Sequence, residues 1–136
     1  MIDAATRRLV RERAGHRCEY CRLAQAHQPF PAFPVDHIIA RQHGGTDAAD
    51  NLALSCYHCN LHKGPNLTGI DPESGALTPL FHPRRTVWDA HFLLRDALIV
   101  GLTAVGRTTV YVLAMNAAER VQLRRELPDQ PPAPSH

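Results

Sequence analysis

Apolar and polar positions change over along this chain in short stretches, and few periodic runs are long. Ile2, Ala5, Leu9 and Val10 fall at helical spacing, Asp3 precedes them as a cap and Gly15 follows the last turn. That pattern predicts a helix over residues 4–14. Residues 27–34 hold three prolines and two phenylalanines and read as a rigid loop. Residues 35–40, rich in β-branched side chains, predict a short strand. Gly44-Gly45 marks a loop, residues 51–54 a second short strand, and residues 59–63 the start of a helix.

The second half is punctuated by Pro65, Pro72, Pro79 and Pro83, which predicts a loop-rich stretch as far as Arg85. Residues 97–102 read as a strand and 108–114 as a helix. Asn116 with Glu119 behind it resembles a capping pair and opens a helix that ends near Leu127. Trp88 and Phe92 stand four apart and read as core. The last stretch, residues 128–136, holds four prolines and reads as a disordered tail. The chain thus divides into an N-terminal helix and core over 1–64, an extension over 65–127 packed on that core, and the tail. There is no internal repeat.

Composition narrows the choice. A 136-residue chain that is 44% apolar is long enough for one compact domain, yet small enough to gain from a structural metal. Its net charge of +2 does not by itself announce a nucleic-acid partner. Residues 1–64 carry 8 Lys/Arg against 6 Asp/Glu, and residues 65–136 carry 7 against 7, so the excess sits in the first half. Charges appear within the first eight residues, which leaves no apolar signal region, and the run over 97–105 is too short to span a bilayer. No membrane partner is expected. A cytoplasmic, reducing setting follows, in which cysteines bind metal more readily than they pair.

Cys18-x2-Cys21 and Cys56-x2-Cys59 stand 34 residues apart and use every cysteine in the chain. Two residues between cysteines let both thiolates reach one tetrahedral ion, and two such turns complete a four-sulfur set that favours zinc. A rival set of Cys18, Cys21, His58 and His62 has finger-like spacing at one end. Its gap of 36 residues far exceeds the usual ~12–15, and it would strand Cys56 and Cys59. A thioredoxin-like redox pair would need a βαβ context that is missing here.

A zinc ribbon needs nothing special between its knuckles. This insert carries Val35-Asp36-His37-Ile38-Ile39, then His43-Gly44-Gly45, then Asp50-Asn51-Leu52, with Asn60 and Lys63-Gly64 directly after the last cysteine. Over residues 18–64 the order resembles the HNH endonuclease family: an Asp-His strand, a Gly-Gly loop, Asn-Leu, then Cys-x2-Cys with His or Asn and Lys-Gly close behind. The resemblance implies an α+β architecture, a ββα-metal nuclease core with a four-cysteine zinc site, an N-terminal helix and a C-terminal extension.

It also implies roles. His37 is expected as general base, since a neutral imidazole takes a proton at working pH. Adjacent strand residues point to opposite faces, which is compatible with a base on one side of the phosphate and a metal ligand on the other. There Asp36 and Asn60 are expected to hold a catalytic Mg²⁺ or Mn²⁺ beside the structural Zn²⁺. The family often has His where Asn60 stands, and Asn favours the harder cations. Asn51 is expected to clasp the loop backbone rather than touch metal. Arg41, His43, His62, Lys63, Arg84 and Arg85 are the candidate contacts to a nucleic-acid backbone, with DNA the expected partner. The oligomeric state stays open. The competing reading is a zinc-ribbon module that binds nucleic acid without cleaving it. A degenerate core of that kind would have lost Asp36, His37 or Asn60, and all three are present.

Overall fold

The computed structural model describes residues 1–127; the expected tail over 128–136 lies outside the described residues. The first helix, α1, spans Ala4–Arg13. Asp3 caps it, its carboxylate accepting from Thr6 N–H at 2.7 Å, and Gly15 closes it at a φ of +63°, where a side chain would be strained. Val10 and the preceding Ile2 are buried. Leu9 is not: it stands 48% exposed, because Val10 alone points this helix into the core. Two arginines of α1 tie it down instead. Arg11 donates to the Phe33 carbonyl at 2.8 Å, and Arg13 to the carbonyls of Ala49 and Leu52 at 3.0 and 2.7 Å.

Next come β1, Val35–His37, and β2, Leu52–Leu54, paired antiparallel with His37 opposite Leu52 and Asp36 opposite Ala53. The strand expected to run to residue 40 ends at His37. Beyond it Ile38 and Ile39 bond to the backbone and side chain of Asn51, and the chain turns away. Helix α2, Tyr57–Lys63, follows at once, with Cys56 as its N-cap. Two strands and a helix therefore form the frame of the expected core.

The extension holds more regular structure than its prolines suggest. A hairpin of β3, Thr68–Ile70, and β4, Leu77–Pro79, replaces part of the expected loop. Its turn is closed by Asp71, which accepts from Glu73 N–H and the Ser74 hydroxyl and is gripped by the Arg107 guanidinium at 2.9 and 3.1 Å. A second hairpin joins β5, Phe92–Arg95, to β6, Leu98–Gly101. Helix α3 spans Ala104–Val112 and α4 spans Ala118–Glu126. Asn116 does not cap α4, whose N-cap is Ala117. The Asn116 amide pairs with both backbone groups of Ile99 instead.

Trp88 and Phe92 are core, stacked with ring centroids 5.1 Å apart, but the pair joins a 3-10 turn to a strand rather than two turns of one helix. The Trp88 indole donates to the Tyr20 carbonyl at 2.7 Å and so fastens the extension to the first cysteine knuckle. No helix among the described residues is long and apolar enough to cross a membrane.

Candidate metal centre and nuclease site

The four cysteines meet. Their sulfurs all lie within 4.8 Å of one another and every one is buried. The Cys21 and Cys56 sulfurs are 3.7 Å apart. A tetrahedral ion with metal–sulfur bonds of about 2.3 Å would separate its ligands by roughly 3.8 Å, so the donor set fits zinc. Each knuckle is wound alike: Cys21 N–H points at Cys18 Sγ and Cys59 N–H at Cys56 Sγ, both at 3.4 Å. Burial pushes the Cys18 thiol well up, and the neighbouring sulfurs push Cys59 up too, while hydrogen bonds from the other sulfurs hold Cys21 well down. Four thiolates cannot share so dry a space without a cation among them.

One shell outward, β1 carries Asp36 and His37 to opposite sides. Asp36 turns inward and is 7% exposed. Tyr20 donates its hydroxyl to Asp36 Oδ2 at 2.9 Å, and Lys63 Nζ lies 3.2 Å from the same oxygen. Burial pushes the Asp36 carboxyl up, against the pull of Lys63 and Tyr20. Lys63, expected at a phosphate, is 2% exposed and also donates to the His37 carbonyl at 3.1 Å. Its ammonium thus ties α2 to β1.

His37 turns the other way, half-buried. Its Nε2 lies 2.8 Å from Asp47 Oδ1, an oxygen that also accepts from Arg41 Nε and Nη2 at 3.2 and 2.8 Å. His37 and Arg41, with the N-terminal amine also on Asp47, hold the Asp47 carboxyl well below the usual carboxylate range. Asp47 carries little signal in the sequence. Its one signal is its place directly after Gly44-Gly45-Thr46, in the loop that returns from His37. Tyr20, inside the first knuckle, carries no local signal, because its partner Asp36 is 16 residues away.

Asn51 holds the loop through its side-chain amide. Its Oδ1 accepts from Ile39 N–H at 2.9 Å, and its Nδ2 donates to the carbonyls of Ile39 and Thr46 at 3.0 and 2.9 Å. Gly45 must be glycine here, because a Cβ would collide with the Ile39 carbonyl and crowd Asn51 Nδ2.

Asp36, His37, Asn60 and Arg41 line one open cleft of about 680 Å³. Among the lining residues Asp36 and Asn60 carry side-chain oxygens, the kind of donor that suits a hard divalent cation with water completing its shell. Such a cation would have to replace the Lys63 ammonium as the main counter-charge of Asp36. Of the remaining candidates, Arg41, His43, His62 and Arg85 are exposed. The His62 ring sits 4.2 Å from that of His58. Arg84 is turned inward and paired with Glu19, and burial, with Arg13 nearby, pushes it down to about 10.

Residues 18–66 match the model of the HNH endonuclease family, and that span contains both knuckles, Asp36, His37, Asp47, Asn51, Asn60 and Lys63. Over those residues the chain carries an HNH endonuclease domain with a four-cysteine cluster, and the family implies a nuclease and a nucleic-acid substrate. No curated protein and no solved structure matches the chain.

Proposed function

We propose that this protein is a divalent-cation-dependent endonuclease that hydrolyses phosphodiester bonds in DNA, on a core stiffened by zinc at Cys18, Cys21, Cys56 and Cys59. The observation that carries the proposal is the single cleft that Asp36, His37 and Asn60 share, with Arg41 beside them. His37 is the general base. With Nε2–H donated to Asp47, Nδ1 is the nitrogen left to take a proton from the attacking water, and the carboxylate steadies the imidazolium that results. Asp36 and Asn60 would hold the cation, which supplies charge stabilisation to the phosphate and the departing oxygen. Asn51 keeps the His37 strand in place through its three bonds to the loop.

Arg41, His43, His62 and Arg85 supply backbone contacts, which give salt-sensitive binding without reading sequence. Lys63 and Arg84 act from inside: one holds Asp36 to α2, the other holds Glu19. The Lys63–Asp36 pair also favours a second reading, in which a permanently neutralised Asp36 leaves a zinc module that binds nucleic acid and does not cut it. Incubating the purified protein with supercoiled plasmid and Mg²⁺ or Mn²⁺, beside a chelator control, separates the two. Cation-dependent nicking supports the nuclease; binding with no cleavage under any divalent ion favours the module.

A further inference from the structure

The cysteine cluster receives a hydrogen bond from outside the HNH segment. Arg120, in α4, is 7% exposed. Its Nη2 lies 3.5 Å from Cys56 Sγ, and its Nη1 lies 3.4 Å from Gln28 Oε1. One turn on, Arg124 is 9% exposed and fixed in place. Its Nε donates to the Ala97 carbonyl at 2.6 Å, and its Nη2 to the Met115 carbonyl and Asn116 Oδ1, both at 2.9 Å.

Two buried guanidinium groups side by side repel each other and are costly to desolvate unless a counter-charge is near. No carboxylate among the described residues forms an ion pair with either. The available counter-charge is the metal centre. Four thiolates around one divalent ion leave two negative charges, and the Arg120 guanidinium sits against one of those sulfurs.

We propose that α4 completes the zinc centre: Arg120 is a positioning residue for the Cys56 thiolate. A donated N–H with its positive charge favours the thiolate over the protonated thiol, which opposes loss of the ligand by protonation, and it dulls the sulfur towards electrophiles. The C-terminal extension is then part of what retains zinc in the core, whatever reaction the core performs.

The test uses the full chain loaded with zinc, as wild type, Arg120→Met and Arg120→Lys. Zinc release to a chromophoric chelator is timed, and alkylation by N-ethylmaleimide is mapped to each cysteine. Arg120→Met should release zinc roughly 10–100-fold faster, the usual scale for losing an outer-sphere partner, with Cys56 modified ahead of the other three. Arg120→Lys keeps the charge and one donor and should recover part of the loss. Should Arg120→Met fail to fold, Arg120→Lys alone decides, its release rate falling clearly above that of wild type and its excess labelling at Cys56. Wild-type release and labelling in a folded variant would overturn the proposal. So would faster labelling spread evenly over all four cysteines, which marks Arg120 as packing only.

Discussion

Asp47 Oδ1 lies 2.8 Å from His37 Nε2 and accepts the Arg41 guanidinium at the same time. One carboxylate thereby sets the orientation of the imidazole and parks a cation at the rim of the cleft. Replacing Asp47 by Ala should slow cleavage roughly 10–100-fold, less than the ~10²–10⁴ that a general base itself contributes. DNA affinity should hold or rise slightly, because a negative charge is removed and Arg41 is released. Rates and affinities measured on the same folded variant check this, and an unchanged rate would remove Asp47 from the site.

The Asn51 clasp joins three backbone groups of the loop through one buried amide. Asn51→Ala leaves those groups short of partners and should cost about 2–4 kcal/mol. Cleavage should fall with it, since β1 loses its anchor just after His37. Denaturant unfolding gives the first quantity and a cleavage assay below the unfolding transition the second. Wild-type stability would contradict the clasp.

Much of this centre is legible in the sequence because its chemistry runs over short spacings. Two CxxC turns specify the cysteine cluster, and the order from Asp36 to Lys63 specifies strand, loop, strand and helix. Partnerships across long separations are not legible. The β3–β4 hairpin looked like loop because Asp71 and Arg107, 36 residues apart, hold its turn. Asn116 carries the local mark of a helix cap, yet tertiary contact with Ile99 claims its amide. Lys63 and Arg84 read as surface charges, as lysines and arginines commonly are, until Asp36 and Glu19 come into view beside them.

The Lys63–Asp36 pair is nearly dry, with 2% and 7% of the two side chains exposed. Breaking such a pair from one side strands a buried charge and typically costs about 3–5 kcal/mol. Lys63→Met should therefore lower the melting temperature. Added Mg²⁺ or Mn²⁺ should restore more of it than the same ion adds to wild type, because the cation then meets an unopposed Asp36. Equal shifts in the two proteins would show that the ion does not bind at Asp36.

His82 makes a pH-sensitive joint in the extension. Its Nδ1 accepts from Arg84 N–H at 3.2 Å, and burial first, then Arg85, pulls the imidazole below its ordinary range. The folded value is depressed. The stabilisation is therefore present above the unfolded value near 6.5 and is lost as pH falls through the folded one. Melting curves from pH 7 towards pH 5 should decline less steeply for His82→Gln than for wild type. Parallel declines would clear His82 of the effect.

In the proposed mechanism His37 performs chemistry and not binding. The direct measurement is the cleavage rate of His37→Ala on plasmid DNA with Mn²⁺ or Mg²⁺, taken with DNA affinity on the same folded, zinc-loaded preparation. Cleavage should drop by ~10²-fold or more, while affinity stays within about twofold of wild type, because the phosphate contacts come from the cationic side chains. Wild-type cleavage by that variant would contradict the account and remove His37 from the mechanism.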